Sequence, residues 1–201
     1  NKRNGQELCS AMACLSSLES LSLHSPGETG LSGRLDGLSS PPENLQSLKL
    51  KGSLVKLPEW IQRLKNVMKL KLGPRVSEHD AAIQVLGNLP NLATLRLLRD
   101  TFVGEEARFN FRREAFASLK VLQLDLIENL RSVGFEEGAA PKIELLQYLG
   151  LSIVELFRGF RHLPSLKEFM LHEWHWHQGE FVEYLQSQLA ENENKPVLER
   201  W

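Results

Sequence analysis

The feature of this sequence that most constrains its fold is a frame of apolar residues, Leu-x-x-Leu-x-x-Leu-x-Leu, present in seven copies with conservative exchanges. The final residues of the copies are Leu23, Leu50, Leu72, Leu97, Leu124, Leu151 and Leu171. Successive copies are therefore 27, 22, 25, 27, 27 and 20 residues apart. A recurrence at this period indicates that one structural unit is stacked repeatedly along the chain.

Each copy predicts one β-strand, because the Leu-x-Leu alternation has the two-residue period of a strand. Short helical patterns follow, with Ile61 and Leu64 after Pro58 and a similar pattern over 78–86. We therefore expect an α/β leucine-rich-repeat solenoid, or horseshoe, with one curved parallel sheet and short helices or irregular turns on its convex side. The expected strands are centred at 21–23, 47–49, 69–71, 95–97, 121–123, 148–150 and 169–171.

The carboxyl-terminal residues predict a cap for this array. Phe181, Val182, Leu185 and Leu189 follow helical spacing and have polar residues on the opposite face. A terminal repeat exposes apolar surface that such a helix covers. We expect a single leucine-rich-repeat domain over 1–201, with the repeats in 1–178 and a capping helix and tail in 179–201. A helix that binds a partner is the alternative.

Composition and charge restrict the classes of function. The formal net charge of -1 gives no general attraction to nucleic acid or to an anionic membrane. There is no hydrophobic leader, no glycosylation sequon and no apolar run of about 18 residues, so we expect a cytoplasmic protein without a membrane-spanning segment. The first residue is not methionine, which we interpret as a sign that the sequence belongs to a longer protein.

No motif in the sequence predicts catalysis or cofactor binding. No nucleophile, base and orienting group occur at the spacing of a known catalytic motif, and the sequence contains no phosphate-binding loop. We therefore predict that this chain is not an enzyme and binds no cofactor. The segment 172–177 contains three histidines and a glutamate, but in an extended segment His172 faces away from His175 and His177. Instead of a zinc site, we expect Trp174 and Trp176 to pack on the capping helix, with the histidines at the surface.

The outward strand positions are the candidate binding surface, because solenoids bind partners on the concave side of the sheet. Around Leu50, Leu72 and Leu97 these positions carry only basic charge, at Lys49, Lys51, Lys69, Lys71, Arg96 and Arg99. Like charges on strands about 4.8 Å apart repel one another. We therefore expect a docking surface for an acidic protein, with a merely solvated face as the alternative. Nucleic acid is disfavoured, because aromatic residues for base stacking are missing from this surface.

The later repeats carry a mixed set of outward residues. Candidate partner-binding residues in this half are Gln123, Asp125, Tyr148, Met170 and His172. Tyr148 and Met170 are expected to be apolar anchors of an interface. Either half of the surface is a candidate for ligand binding.

One long run carries a family resemblance. Residues 54–67, Leu-Val-Lys-Leu-Pro-Glu-Trp-Ile-Gln-Arg-Leu-Lys-Asn-Val, resemble the Leu-x-x-Leu-Pro-x-Trp-Ile-x-x-Leu-x-x-Leu run of coiled-coil, nucleotide-binding, leucine-rich-repeat disease-resistance proteins of plants. Further matching runs follow, in the order found in the final repeats of cereal-type members, at 86–92, 102–106, 116–120 and 135–141.

The resemblance implies an intracellular receptor of innate immunity. Its repeat domain would recognise a pathogen effector or a modified host protein, and would restrain the nucleotide-binding switch of the parent protein by intramolecular contact. ADP or ATP would bind in the parent's nucleotide-binding domain, not in this fragment. The alternative is the substrate-recognition domain of a ubiquitin-ligase adaptor, which would carry a helical ligase-docking module before the repeats.

The sequence departs from better-known plant repeats in one position of the frame. The third residue after each final leucine is not asparagine, so the repeats lack a ladder of asparagines. Backbone groups in the loops therefore need other partners.

Overall fold

A computed structural model describes residues 2–25, 30–38, 40–54, 56–73, 76, 78–99, 106–127, 129–151, 153 and 155–201. Within them the helices are α1 (Lys2–Ala13), α2 (His79–Gly87) and α3 (Gly179–Ala190), with short 3-10 turns at Glu59–Arg63, Phe160–His162 and Glu173–His175. The strands are β1 (Ser20–His24), β2 (Ser47–Lys51), β3 (Lys69–Leu72), β4 (Thr94–Leu97), β5 (Ala107–Phe111), β6 (Val121–Asp125), β7 (Leu130–Phe135), β8 (Leu145–Leu149), β9 (Phe157–Arg158), β10 (Glu168–Leu171) and β11 (Val197–Arg200).

Among the described residues, the main sheet has eight parallel strands in the order β1-β2-β3-β4-β6-β8-β10-β11. Its inward leucines are directly opposite one another across neighbouring strands, as in the series Leu50, Leu72, Leu97 and Leu124. Each of these four side chains is at most 1% exposed. The predicted α/β leucine-rich-repeat solenoid with a parallel main sheet is therefore confirmed, and the sheet contains one more strand than predicted.

The sixth repeat has a different frame from the predicted one. The inward residues of β8 are Leu146 and Tyr148, which lie opposite Leu122 and Leu124. The final inward residue is thus Tyr148 and not Leu151, which is 53% exposed. The segment contains two apolar frames three residues apart, and the observed one gives nearly equal steps of 24 residues from Leu124 and 23 residues to Leu171. Stacking with both neighbours selects that frame.

The convex side contains a second parallel sheet, β5-β7-β9, where short helices or irregular turns were predicted. Its inward aromatic residues extend the core, and the ring centroids of Phe111 and Phe135 are 4.7 Å apart. Alternation of Ala107, Phe109 and Phe111 with exposed polar residues is a strand signal within the sequence. The remaining convex elements follow the prediction more closely, since α2 covers most of the helical pattern at 78–86.

The carboxyl-terminal segment forms a helix followed by a strand. The four predicted apolar residues of α3, Phe181, Val182, Leu185 and Leu189, are all buried. The tail then forms β11, which pairs in parallel with β10 and was not predicted as a strand. In the segment between α3 and β11, the buried side chain of Asn192 donates hydrogen bonds to the backbone oxygens of Phe160 and Leu163 at 2.6 and 2.9 Å.

Asparagines at another position link successive repeats. The side-chain nitrogens of Asn44, Asn66 and Asn91 donate to backbone oxygens of the preceding repeat at 2.9, 2.8 and 2.7 Å. Each asparagine directly precedes an inward apolar residue: Leu45, Val67 or Leu92. These bonds give hydrogen-bond partners to backbone oxygens in the turns that precede β1, β2 and β3.

Candidate protein-binding surface on the open face of the sheet

The face of the main sheet opposite its buried side carries rows of outward residues, because parallel strands in register place equivalent side chains beside one another. The middle row contains Ser22, Lys49, Lys71, Arg96, Gln123, Gln147, Met170 and Glu199. A second row contains Ser20, Ser47, Lys69, Thr94, Val121, Leu145, Glu168 and Val197. The charged residues of both rows are basic on β2 to β4 and acidic on β10 and β11, where apolar residues lie beside them.

Four of the six predicted cations lie together, and we refer to Lys49, Lys69, Lys71 and Arg96 as the cationic strip. They line a shallow depression of about 430 Å³ on β2, β3 and β4. Lys51 is exposed at the end of β2 and Arg99 is exposed in the turn after β4, and neither lines this depression. The strand register, which places Lys49 opposite Lys71 and Lys71 opposite Arg96, brings these charges together.

None of the six cations forms an ion pair with another residue that the structure describes. The described ion pairs lie elsewhere, for example between Arg112 and Asp80 at 3.3 Å. Two like unit charges about 4 Å apart repel by about 1 kcal/mol in water and by more when water is excluded. A negatively charged surface placed over the strip would bring opposite charge to these neighbouring cations.

The other predicted residues are placed less uniformly. Gln123, Asp125 and Met170 lie half-buried on the open face, and His172 lies half-buried just after β10. The side-chain nitrogen of Gln147 lies 3.0 Å from the Met170 sulfur, to which it donates a hydrogen bond. One carboxylate oxygen of Asp125 is buried without a hydrogen-bond partner among the described residues.

The prediction that Tyr148 faces outward is wrong. Its side chain is 1% exposed and stacks on the His175 ring, with centroids 5.6 Å apart. The hydroxyl donates a hydrogen bond to the backbone oxygen of Leu151 at 2.7 Å. Burial raises the pKa of the Tyr148 hydroxyl well above its ordinary value. The outward expectation followed from the misplaced frame, which assigned the inward position to Leu149.

In the segment 172–177, the prediction of buried tryptophans and exposed histidines is wrong for two residues. Trp174 is 64% exposed, whereas His175 is only 3% exposed. The Nε2 atom of His175 accepts a hydrogen bond from the backbone nitrogen of Gly150 at 3.4 Å. Burial lowers the pKa of His175, and the nearby His172 lowers it further. In the part of the chain that the structure describes, no cluster of three or more ligand-type side chains is arranged to hold a metal ion.

Several residues of the open face were missed by sequence reasoning. Leu149 is half-buried on this face, and Leu151 and Trp201 are 53% and 42% exposed. The first two were assigned to the core by the misplaced frame. Trp201 follows the unpredicted strand β11, and residues 197–201 show no alternation of apolar and polar residues that would have predicted a strand.

A family model and several similar proteins agree on the family of this chain. A family model described as a leucine-rich repeat region matches residues 1–198. The disease resistance protein RPM1 of Arabidopsis thaliana is 28% identical over 172 residues, which are 85% of this chain and 18% of that protein. The disease resistance protein PIK6-NP of Oryza sativa subsp. japonica is 26% identical over 213 residues, which cover 96% of this chain and 20% of that protein.

The chain thus spans about a fifth of the length of these relatives. The predicted resemblance to plant disease-resistance proteins is confirmed, and their leucine-rich-repeat region is a repeat domain and not a catalytic one. Among the residues described here, no helix is long and apolar enough to cross a membrane. The chain belongs to the leucine-rich-repeat family.

Proposed function

We propose that this chain is the protein-binding repeat domain of an intracellular plant immune receptor. In this proposal it recognises a pathogen effector or a modified host protein, and it restrains the nucleotide-binding switch of the parent protein. The similarity to the repeat regions of disease resistance proteins supports the receptor class. ADP or ATP belongs to the switch domain of the parent, and the receptor works in the cytoplasm.

The cationic strip is the single observation that carries the assignment of a binding surface. Its four cations line one depression, although the formal net charge of the chain is -1. A local positive field attracts an acidic surface, increases its association rate and selects its orientation. Because the strip is shallow and exposed, we infer that it binds the folded surface of an acidic protein domain, either the ligand or the switch.

Charge reversal in the full-length receptor tests this assignment. Lys69→Glu, Lys71→Glu and Arg96→Glu together replace three positive charges of the strip by negative ones. Opposite charges at a desolvated contact cost several kcal/mol when reversed, whereas solvated charges cost little. If the strip holds the switch at rest, the mutant signals without a ligand, because a shift of about 5.5 kcal/mol moves a two-state population from 1:99 to 99:1. If it captures the ligand, triggered signalling falls while resting activity stays low.

A matched control carries the same change in net charge at other positions. Lys56, Lys65 and Lys142 are exposed and lie outside the strands. We expect their reversal to glutamate to leave resting and triggered signalling unchanged. Wild-type signalling by a normally folded and expressed strip mutant, or an equal defect in the control, would show that the strip is only a solvated face.

A further inference from the structure

A second surface lies at the other end of the open face and has different chemistry. We define the apolar rim as Leu149, Leu151, His172, Trp174 and Trp201, which lie at or just after the carboxyl ends of β8, β10 and β11. Leu151, Trp174 and Trp201 are 53%, 64% and 42% exposed. Scattered exposed apolar residues are common, but a group of large ones at one edge is typical of a protein-binding site. Tryptophan is also enriched among the residues that dominate binding energy.

The aromatic residues of the rim are held in place before any partner binds. The His172 ring contacts both Trp174 and Trp201 edge-on, with centroid distances of 4.7 and 5.2 Å. The Nδ1 atom of His172 accepts a hydrogen bond from the backbone nitrogen of Trp174 at 3.4 Å. The backbone nitrogen of Glu173 donates a hydrogen bond to the backbone oxygen of Trp201 at 3.3 Å, which links the turn after β10 to the end of β11. Such preorganisation reduces the entropy lost when a partner binds.

Carboxylates border the rim. Asp125 lies opposite Leu149 in the sheet register and has a buried oxygen without a hydrogen-bond partner among the described residues. Glu173 is exposed and directly precedes Trp174, and Glu199 is exposed two residues before Trp201. The nearby Arg200 is already engaged, since its guanidinium carbon lies 5.2 Å from the centre of the Trp176 ring. The chemical complement of this edge is an apolar group accompanied by a cation.

We propose that the apolar rim binds a protein segment that presents aliphatic or aromatic side chains next to lysine or arginine. The carboxylates repel an anionic membrane or a nucleic acid, so charge favours a protein as the occupant. The rim is separate from the cationic strip, because β4 and β8 are separated by β6 in the sheet. The open face thus has two docking surfaces with opposite preferences. The strip on β2 to β4 prefers an acidic partner, and the rim at β8 to β11 prefers a partner with basic and apolar side chains.

Binding of short synthetic peptides to this chain, measured by titration calorimetry, tests the proposal. The first peptide alternates leucine with lysine around a central tryptophan. The second replaces its lysines by glutamates, and the third replaces its apolar residues by serines. We expect the leucine-lysine peptide to bind at least about tenfold more tightly than the serine-lysine peptide, because loss of apolar anchors removes the dominant contacts. We also expect the double variant Trp174→Ala, Trp201→Ala to lose at least about tenfold in affinity for it.

Three further variants separate apolar from charged contributions and from the proposed function. Glu199→Lys should weaken binding of the leucine-lysine peptide and reduce its dependence on salt. Leu15→Ala with Met68→Ala is the matched control, since these exposed apolar residues, at 49% and 41%, lie outside the rim. Reversal of the cationic strip should not weaken binding of the leucine-lysine peptide, because the strip is separate from the rim. The acidic-partner proposal is tested apart from the rim, by signalling of the strip mutant in the full-length receptor.

Two outcomes would overturn the rim proposal. One is equal affinity of the leucine-lysine and serine-lysine peptides for the wild-type chain. The other is unchanged affinity in the double tryptophan variant, tested also as Trp174→Ala and Trp201→Ala separately. Circular dichroism and melting of each variant confirm that the comparison is between folded proteins.

Discussion

At the scale of single residues, the Tyr148 and His175 rings connect the sixth repeat to the segment before α3. The two rings stack, and each anchors the turn after β8, Tyr148 through the oxygen of Leu151 and His175 through the nitrogen of Gly150. The backbone of Gly150 packs against the Tyr148 side chain, and a Cβ added at Gly150 would lie 2.4 Å from the tyrosine hydroxyl oxygen. The turn that presents Leu149 and Leu151 therefore depends on a neutral imidazole and a small residue.

The buried His175 predicts a dependence of stability on pH. Its pKa in the folded protein is lower than the ordinary value of 6.5, chiefly because burial disfavours the charged ring. The unfolded chain therefore binds the proton more readily, and stability from this group is present above about pH 6.5 and falls as the pH decreases towards the folded pKa. We expect the free energy of unfolding to fall by up to about 1.4 kcal/mol per pH unit in that window.

Urea unfolding of the wild type and of His175→Gln at pH 7.5 and 5.5 measures this effect. The variant should lose less stability than the wild type between the two values, because glutamine does not titrate. The exposed His177→Gln is the control and should keep the wild-type dependence. Equal pH dependence in wild type and His175→Gln would contradict the assignment.

At the scale of elements, a strand is defined by the neighbours with which it pairs as much as by its own pattern. In β8 the candidate inward pairs were Leu146 with Tyr148 and Leu149 with Leu151, and the sheet register selects the first. The convex strands β5 and β7 show the same dependence, because their buried phenylalanines complete a core that no single repeat contains.

Two leucines that are equivalent in the sequence frame test the selected register. Leu124 is 1% exposed, whereas Leu151 is 53% exposed. We expect Leu124→Ala to lower the free energy of unfolding by about 2–5 kcal/mol, because it leaves a cavity in the core. Leu151→Ala should change it by no more than about 0.5 kcal/mol. Urea unfolding of both variants decides the matter, and an equally large loss at Leu151 would favour the frame predicted from the sequence.

At the scale of the whole molecule, each repeat is stabilised by its neighbours, so the outer strands of the described sheet differ from the inner ones. The first strand illustrates this, because its inward Leu21 and Leu23 are only half-buried, whereas Leu48 and Leu50 of the next strand are 1% and 0% exposed. At the other end, α3 and β11 cover the apolar residues and the edge of β10. Stability in such an array is approximately a sum over repeats and their interfaces.

Truncation tests the role of this end. We expect deletion of 179–201 to lower the melting temperature and to cause aggregation, because it exposes apolar surface and an unpaired strand edge. Deletion of 197–201 alone should have a smaller effect, since α3 and its buried side chains remain. Melting curves and light scattering of both truncated chains measure the outcome. A monomeric 1–178 chain with an unchanged melting temperature would contradict the capping role.

The sequence by itself determined the repeat, most strand positions of the main sheet, the helix α3 and the basic residues that form the strip. These features are local, because a two-residue or helical period in a short segment fixes which side chains share a face. The four cations met at one site because equivalent positions of parallel strands align, as Lys49, Lys71 and Arg96 do.

Tertiary structure alone decided the frame of β8, the pairing of the convex strands, the strand β11 and the burial of His175. In β8 two local frames were compatible with the pattern, and packing against the neighbouring repeats selected one. Leu151 and Tyr148 are both suitable for an inward position, but only the burial of Tyr148 lets it stack on His175 and bond to Leu151. The exposure of Leu151 follows from that selection, whereas Trp174 and Trp201 lie in the turn after β10 and just after β11, so the apolar rim was not predictable from periodicity.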